Sequence, residues 1–242
     1  MVYQRLARLG GFFFPATCVL CGEDGAAGRD LCDACAALLP VVDQCCSRCG
    51  VPLNAAGLDD GSSVCGRCLQ KPPYFDSVLA PYRYEPPLDW LVQRLKFNAR
   101  LSHGRVLAGL LGDHLQQSCP ELPEIIVPVP LHSNRLRERG FNQALELARP
   151  LARRFRLPLV TDWLERHADT PQQSTLVAKQ RTKNLRRAFS VRKALTAKHV
   201  AIVDDVVTTG ATVNALAKLM KRNGVATVQV WAVARTPATR DA

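Results

Sequence analysis

The 242-residue sequence predicts an α/β fold on a parallel sheet, preceded by a small cysteine-rich module. Three observations carry this expectation. Beyond residue 76, short apolar runs bounded by Pro or Gly alternate with segments of helical periodicity, the pattern of βαβ crossovers. Before residue 70, cysteines recur in C-x2-C pairs. The apolar run "VAIV" at 200–203 ends in two adjacent acids and a hydroxyl-rich bend, and parallel sheets bind ligands beyond the carboxyl ends of their strands.

Composition narrows the function classes. Apolar residues make up 47% and charged residues 22%, as in an ordinary globular protein. No run of about 18 apolar residues is present, and "MVYQRLARLGGFFFPATC" completes no targeting pattern. A cytoplasmic chain with no membrane partner is expected. The net charge of +11 favours anionic partners such as phosphates, nucleotides or nucleic acid. The charge is uneven: eight Lys or Arg and no acid lie between Lys179 and Lys198.

Residues 1–75 hold nine of the ten cysteines. Cys18 and Cys21, Cys32 and Cys35, Cys46 and Cys49, and Cys65 and Cys68 form four C-x2-C pairs. Each pair presents two thiolates from a tight knuckle, and two pairs complete a closed tetrahedral zinc site. Four pairs therefore supply up to two structural Zn²⁺. Sequential and interleaved pairing of the knuckles both satisfy the spacing. Cys45 competes with Cys46, whose spacing matches the other pairs. Gly22, Gly50 and Gly66 each follow a knuckle cysteine, where positive φ helps amides turn toward sulfur. Cys119 is isolated and reads as a structural thiol. So small a module buries little core, so metal is expected to supply much of its folding free energy. Docking of nucleic acid or protein is the sharper reading of the knuckles.

Residues 76–242 read in order as follows. A Pro-rich linker leads to a short strand near 76–84. Two helices follow from Leu88, broken near 98–103, with Leu91, Val92, Leu95, Val106, Leu107, Leu110 and Leu111 at helical spacing. "EIIVPVP" at 124–130 is a buried strand, and "NQALELARPLARRF" a helix interrupted or ended at Pro150. "PLV" at 158–160 is a short strand. "HVAIVDDV" at 199–206 is a buried strand, the following helix ends at Gly224, and 226–235 is a final strand.

The bend after the acids opens a helix. Its amides and the hydroxyls of Thr208, Thr209 and Thr212 suit one anion. Neither a Walker A loop nor the three-glycine dinucleotide fingerprint is present.

"VAIVDDVVTTGAT" closely resembles the phosphoribosyl-pyrophosphate (PRPP) signature of type I phosphoribosyltransferases. "LKFNAR", "VPVPLHSNRLRERGFNQA", Arg166-x3-Thr170-x2-Gln173, Arg181-x2-Asn184 with Ala188-Phe189, and "CGRCLQKPP" are similar to one branch, the ComF/GntX family. The resemblance spans nearly the whole chain. It implies a parallel-sheet type I phosphoribosyltransferase fold over 76–242, preceded by a double zinc ribbon over 1–75. Members are associated with DNA uptake and single-stranded DNA handling in competent bacteria, or with gluconate use.

By this resemblance, Asp204 and Asp205 hold the ribose hydroxyls, and Val207, Thr208, Thr209, Gly210, Ala211 and Thr212 cradle the 5′-phosphate. Leu131, His132, Ser133 and Asn134 form a pyrophosphate loop whose amides face the leaving group. Arg139 is its favoured cation, with Arg135 and Arg137 adding charge; His132 is a candidate general acid. Lys96 is a candidate pyrophosphate or substrate contact. Residues 165–190 are a mobile hood with Arg166, Gln173, Arg181 and Asn184 as polar candidates. Mg²⁺ accompanies PRPP. Partners are PRPP, an unidentified base acceptor, and single-stranded DNA or other competence and recombination proteins. The competing reading is a non-catalytic PRPP or nucleotide sensor that holds single-stranded DNA on its knuckles and basic stretch. A DNA-binding regulator ranks lowest, since no helix-turn-helix accompanies the knuckles.

Overall fold

The structure, a computed structural model, describes residues 16–26, 28–53, 63–98, 100–167, 188–194 and 196–237. Helices α1 (Asp33–Ala37) and α2 (Gly66–Gln70) lie among the cysteines. Strands β1 (Ser77–Leu79) and β2 (Tyr82–Arg83) precede helices α3 (Leu88–Asn98) and α4 (Leu101–Ser118). Strand β3 (Ile125–Pro128) is followed by α5 (Ser133–Arg139) and α6 (Gln143–Phe155). β4 (Leu164–Arg166) and β5 (Phe189–Val191) form a separate antiparallel pair. β6 (His199–Val207), α7 (Ala211–Arg222) and β7 (Thr227–Arg235) complete the order.

The main sheet runs β1-β7-β6-β3 and is parallel throughout, with β2 extending the β1 edge along β7. Both faces are covered, which is why its strands read as continuous apolar runs rather than alternating ones. Ile125, Val127, Val200, Ile202, Val228 and Val230 face one core, with Val213, Leu216 and Met220 of α7. Ile126, Ala201, Val203, Trp231 and Val233 face the other, with Leu91 and Leu95 of α3, Leu107 and Leu111 of α4, and Leu147 and Leu151 of α6.

Four expectations change. The strand near 76–84 is two short strands, because Pro81 has no N–H to give the ladder. Helix α6 runs through Pro150. Buried Leu147, Ala148, Leu151 and Ala152 on either side of that proline pack on α4 and β6, offsetting a cost of about 3 kcal/mol for proline in a helix interior. Residues 131–134 are not all loop: Ser133 and Asn134 open α5, which ends at Gly140 with φ +78°. Gly66 opens α2 instead of taking positive φ, unlike Gly22 and Gly50. The break between α3 and α4 and the αL Gly224 after α7 are as expected. "PLV" meets the sheet at one parallel bridge, Leu159 to Ile126.

The cysteine module does not stand apart. Cys18, Leu31, Cys35 and Leu39 join the core under α3, α4 and α6, whereas Cys46, Cys49, Val51 and Cys68 join the core under α7. The segment between the halves crosses the sheet edge, where Val41 bridges Tyr82 and Arg83 N–H donates to Pro40 O at 2.8 Å. The module thus straddles the sheet. Among the described residues no helix is long and apolar enough to cross a membrane.

Candidate functional site

Two thiolate clusters are built as the knuckles pair in sequence. Cys18, Cys21, Cys32 and Cys35 form one group and Cys46, Cys49, Cys65 and Cys68 the other, each with all sulfurs within 4.8 Å. Interleaved pairing is excluded, and Cys45 stands outside, bridged to Pro52. The Sγ atoms of Cys21 and Cys32, and of Cys49 and Cys65, are 3.7 Å apart. A zinc tetrahedron with Zn–S near 2.3 Å has edges of about 3.8 Å, so both groups fit the ion. Backbone N–H groups point at sulfur as thiolates require: Cys35 N–H donates to Cys32 Sγ at 3.4 Å, and Cys49 and Cys65 N–H to Cys46 Sγ at 3.5 and 3.3 Å. These are two structural zinc sites, each closed by four thiolates.

β6 runs past the end of its neighbour. Pro128, the last residue of β3, pairs with Val203, so Asp204 and Asp205 emerge just beyond it, while pairing to β7 continues to Val207 and Arg235. Successive strand residues point to opposite faces, and the two acids accordingly meet different surroundings. Buried Asp205 forms an ion pair with Lys96 of α3, its Oδ2 2.7 Å from Nζ. Burial pulls the Lys96 ammonium down, but the Asp205 carboxylate beside it outweighs this and holds its pKa above the ordinary lysine value. Burial pulls the Arg139 guanidinium below its ordinary value, with the nearby Asp205 acting the other way; its Nη1 donates to Gln143 Oε1 at 2.7 Å and its guanidinium lies 5.5 Å from the Phe97 ring centre.

Asp204 instead lines an open concavity, together with Val206, Val207, Thr208, Thr209, Gly210, Ala211, Thr212 and Val213. Gly210 takes φ +77° as the N-cap of α7, and Ala211 N–H donates to Thr209 Oγ1 at 3.3 Å. Carboxylate, hydroxyls and helix N-terminus therefore share one concavity. Burial, then the neighbouring Asp205, pushes the Asp204 carboxyl up to about 8, with Lys96 pulling the other way. This has a measurable consequence. Between the ordinary value of 3.8 and about 8, the folded chain keeps a proton that the unfolded chain has lost. The Asp204 contribution to stability therefore falls as pH rises through that window. Urea unfolding at pH 6 and 8 is expected to show a larger loss for wild type than for Asp204→Asn.

The other expected residues scatter. Leu131 and His132 follow the carboxyl end of β3, and His132 caps α5, its Nδ1 accepting from Asn134 N–H at 3.3 Å. Ser133 and Asn134 form the first turn of α5, where Asn134 Oδ1 accepts from Arg137. Arg166 lies in β4 with its guanidinium 5.6 Å from the Phe189 ring centre. Gln173, Arg181 and Asn184 lie outside the described residues, as does the middle of the expected hood; β4 and β5 flank it and pair. Three residues at the site escaped sequence reading. Asn142 caps α6 and its Nδ2 donates to Val129 O at 3.0 Å, fixing the helix to the end of β3. Arg235 and Arg67 bond the carbonyls of the Val207–Thr209 turn. Arg67 and Asn142 lie inside quoted motifs, but nothing local marks their roles, because each meets its partner across the fold.

A parallel sheet with an acid pair and an anion-suited turn at its carboxyl end, backed by two four-thiolate clusters, defines a phosphoribosyl transferase domain joined to a double zinc ribbon. The Phosphoribosyl transferase domain family matches residues 142–242, and the Double zinc ribbon domain family matches residues 9–69. The DNA utilization protein YhgH of Escherichia coli O157:H7 is 38% identical over 227 residues, 92% of this chain and 98% of that one. Competence protein F of Haemophilus influenzae is 36% identical over 231 residues, with the same coverage. Competence protein ComFC of Bacillus subtilis is 25% identical over 205 residues, covering 81% and 80%. The chain belongs to the ComF/GntX family.

Proposed function

We propose that the chain is a cytoplasmic phosphoribosyltransferase: it binds PRPP with Mg²⁺ and transfers ribose 5-phosphate to a nitrogen nucleophile. The observation that carries this reading is the single cavity shared by Asp204 and the Val206–Val213 turn. A sugar phosphate matches it, with hydroxyls for the carboxylate and a phosphate for the helix N-terminus. The nitrogen lone pair forms the new bond at C1′ as the C1′–O bond to pyrophosphate breaks, with inversion. Pyrophosphate leaves with the bonding pair, and the nucleophile loses its proton.

Protein work in such a step is positioning and electrostatics. The Val207–Thr212 turn holds the phosphate end and Asp204 the ribose hydroxyls. Lys96 holds the neighbouring Asp205 in place through their ion pair. The half-buried Arg139 supplies positive charge on the Asp205 side for the departing pyrophosphate. Carboxylate oxygen with substrate phosphates is an ordinary donor set for Mg²⁺, so Asp204 would hold that ion, giving up to the cation's charge the proton it otherwise keeps below about pH 8. When bound, it neutralises the leaving group. Calorimetry with PRPP and Mg²⁺, followed by a screen of bases for pyrophosphate release, tests the proposal. Binding plus base-dependent release is expected; tight PRPP binding with no release from any base removes the transferase.

One observation favours a second reading, a PRPP-binding protein that holds single-stranded DNA. Trp90 and Phe97 of α3 are 38% and 65% exposed. Arg94 lies 4.9 Å from the Trp90 ring centre and Arg139 caps Phe97. Residues 90, 94 and 97 share one helix face. Solvent-facing aromatics with arginines are a platform for unstacked bases, and relatives are named for DNA utilization and competence. Oligothymidylate binding that weakens steeply with salt and disappears in Trp90→Ala/Phe97→Ala is the expected result; salt-independent binding, or none, removes this reading.

A further inference from the structure

The second zinc ribbon touches the anion-suited turn through two arginines. Arg235, at the end of β7, is only 3% exposed. Its Nε donates to Cys49 O at 2.9 Å, inside the second knuckle cluster. Its Nη1 donates to Val207 O at 3.0 Å, to Thr236 O at 2.9 Å, and to Thr208 O. Arg67, between Cys65 and Cys68, donates from Nη2 to Thr209 O at 3.1 Å. The carbonyls of three consecutive residues of the turn are thus held by two side chains tied to one metal cluster. A peptide unit is planar and trans, so its N–H points opposite to its C=O. Holding the carbonyls of Val207, Thr208 and Thr209 therefore fixes the N–H groups of Thr208, Thr209 and Gly210 away from the arginines. Successive amides oriented together make an anion nest. The same ribbon reaches the start of α7, where Tyr74 N–H donates to Asn214 Oδ1 at 2.7 Å.

We propose that the second thiolate cluster is the positioning element of the anion cradle, so that zinc in Cys46, Cys49, Cys65 and Cys68 and an anion in the Val207–Thr212 turn stabilise each other. This rests on reading that turn as the seat of a sugar phosphate. A buried guanidinium needs its acceptors, and those of Arg235 come from both the knuckle and the turn. Displacing the Cys49 carbonyl frees Arg235, and freeing Arg235 releases the peptides of the turn. Coupling between two binding sites is reciprocal, so the anion must hold the metal as strongly as the metal holds the anion. Among the described residues the first cluster has no such path: its neighbours Arg29 and Asp30 pair with Asp113 and Arg105 of α4, on the other face of the sheet.

The test uses the zinc-loaded full chain with ribose 5-phosphate as probe. Cysteine alkylation by iodoacetamide during EDTA challenge is followed residue by residue by peptide mass spectrometry. Calorimetry measures ribose 5-phosphate affinity in parallel. Saturating ribose 5-phosphate is expected to slow alkylation of Cys46, Cys49, Cys65 and Cys68 by about 10-fold, with Cys18, Cys21, Cys32 and Cys35 unchanged. Arg67→Ala, at an exposed position, is expected to lose affinity several-fold and much of that protection. Ribose 5-phosphate binding without selective protection overturns the coupling and leaves the cradle standing. An Arg67→Ala chain that matches wild type in both readouts does the same. Failure of ribose 5-phosphate to bind wild type overturns the cradle, and the coupling with it.

Discussion

Cys49→Ser, or zinc removal by chelator, is expected to unfold the whole chain and not only its first 75 residues. Cys46, Cys49 and Cys68 sit in the same apolar cluster as Val78, Val127, Val213 and Val230. A structural zinc in a small site contributes an apparent ~10–16 kcal/mol, as large as the entire stability of a typical domain. Loss of the second ion therefore removes more than the remaining sheet packing can supply. Trp163 and Trp231 report on the two cores separately, since each is fully buried in a different one. Near-ultraviolet circular dichroism should lose both signals together in Cys49→Ser. Cys21→Ser, at an exposed ligand of the first site, should be the milder lesion. Retention of native aromatic signals after both ions are gone would show that the sheet folds without the ribbon.

The second large effect is expected at Lys96. Its ammonium and the Asp205 carboxylate are 2.7 Å apart with side-chain exposures of 17% and 5%. Removing one partner of so enclosed a pair leaves the other charge uncompensated, at a cost of about 3–5 kcal/mol. Lys96→Met and Asp205→Asn should each lose about that much in urea unfolding. The double variant should regain most of it, because no lone charge remains. The coupling energy from the four proteins measures the pair directly; single losses that simply add would mean the two side chains do not sense each other. Because the pair holds Lys96 above its usual range, the lysine's share of this contribution is present at neutral pH and is lost as pH rises through its raised pKa.

Much of the architecture was legible because its signals are local. A C-x2-C knuckle is formed by four neighbouring residues, and a strand–turn–helix by a dozen, so residue type and spacing suffice to mark ligands and turn. Buried parallel strands show as short apolar runs between helical patterns, and β3, β6 and β7 fell where those runs stand. The misreadings have an equally physical cause. Pro150 looked like a helix end, but packing on both sides carried α6 through it. Residues 131–134 looked like loop throughout, yet Ser133 and Asn134 open a short helix that His132 caps. Gly66 looked like a turn residue and became the start of α2.

By itself, then, the sequence determined the chemistry on offer: eight thiols at zinc spacing, two acids at the end of a buried strand, and a turn suited to an anion. Only the tertiary structure decided how these are shared out. It paired the knuckles in order and seated one cluster in each core. It turned Asp204 to the cavity and Asp205 to Lys96, and it ran Arg235 from the last strand to both the Cys49 knuckle and the turn. Those decisions rest on contacts between residues as far apart as Cys49 and Arg235. Spacing along the chain says nothing about such contacts, because they exist only once burial has brought the segments together.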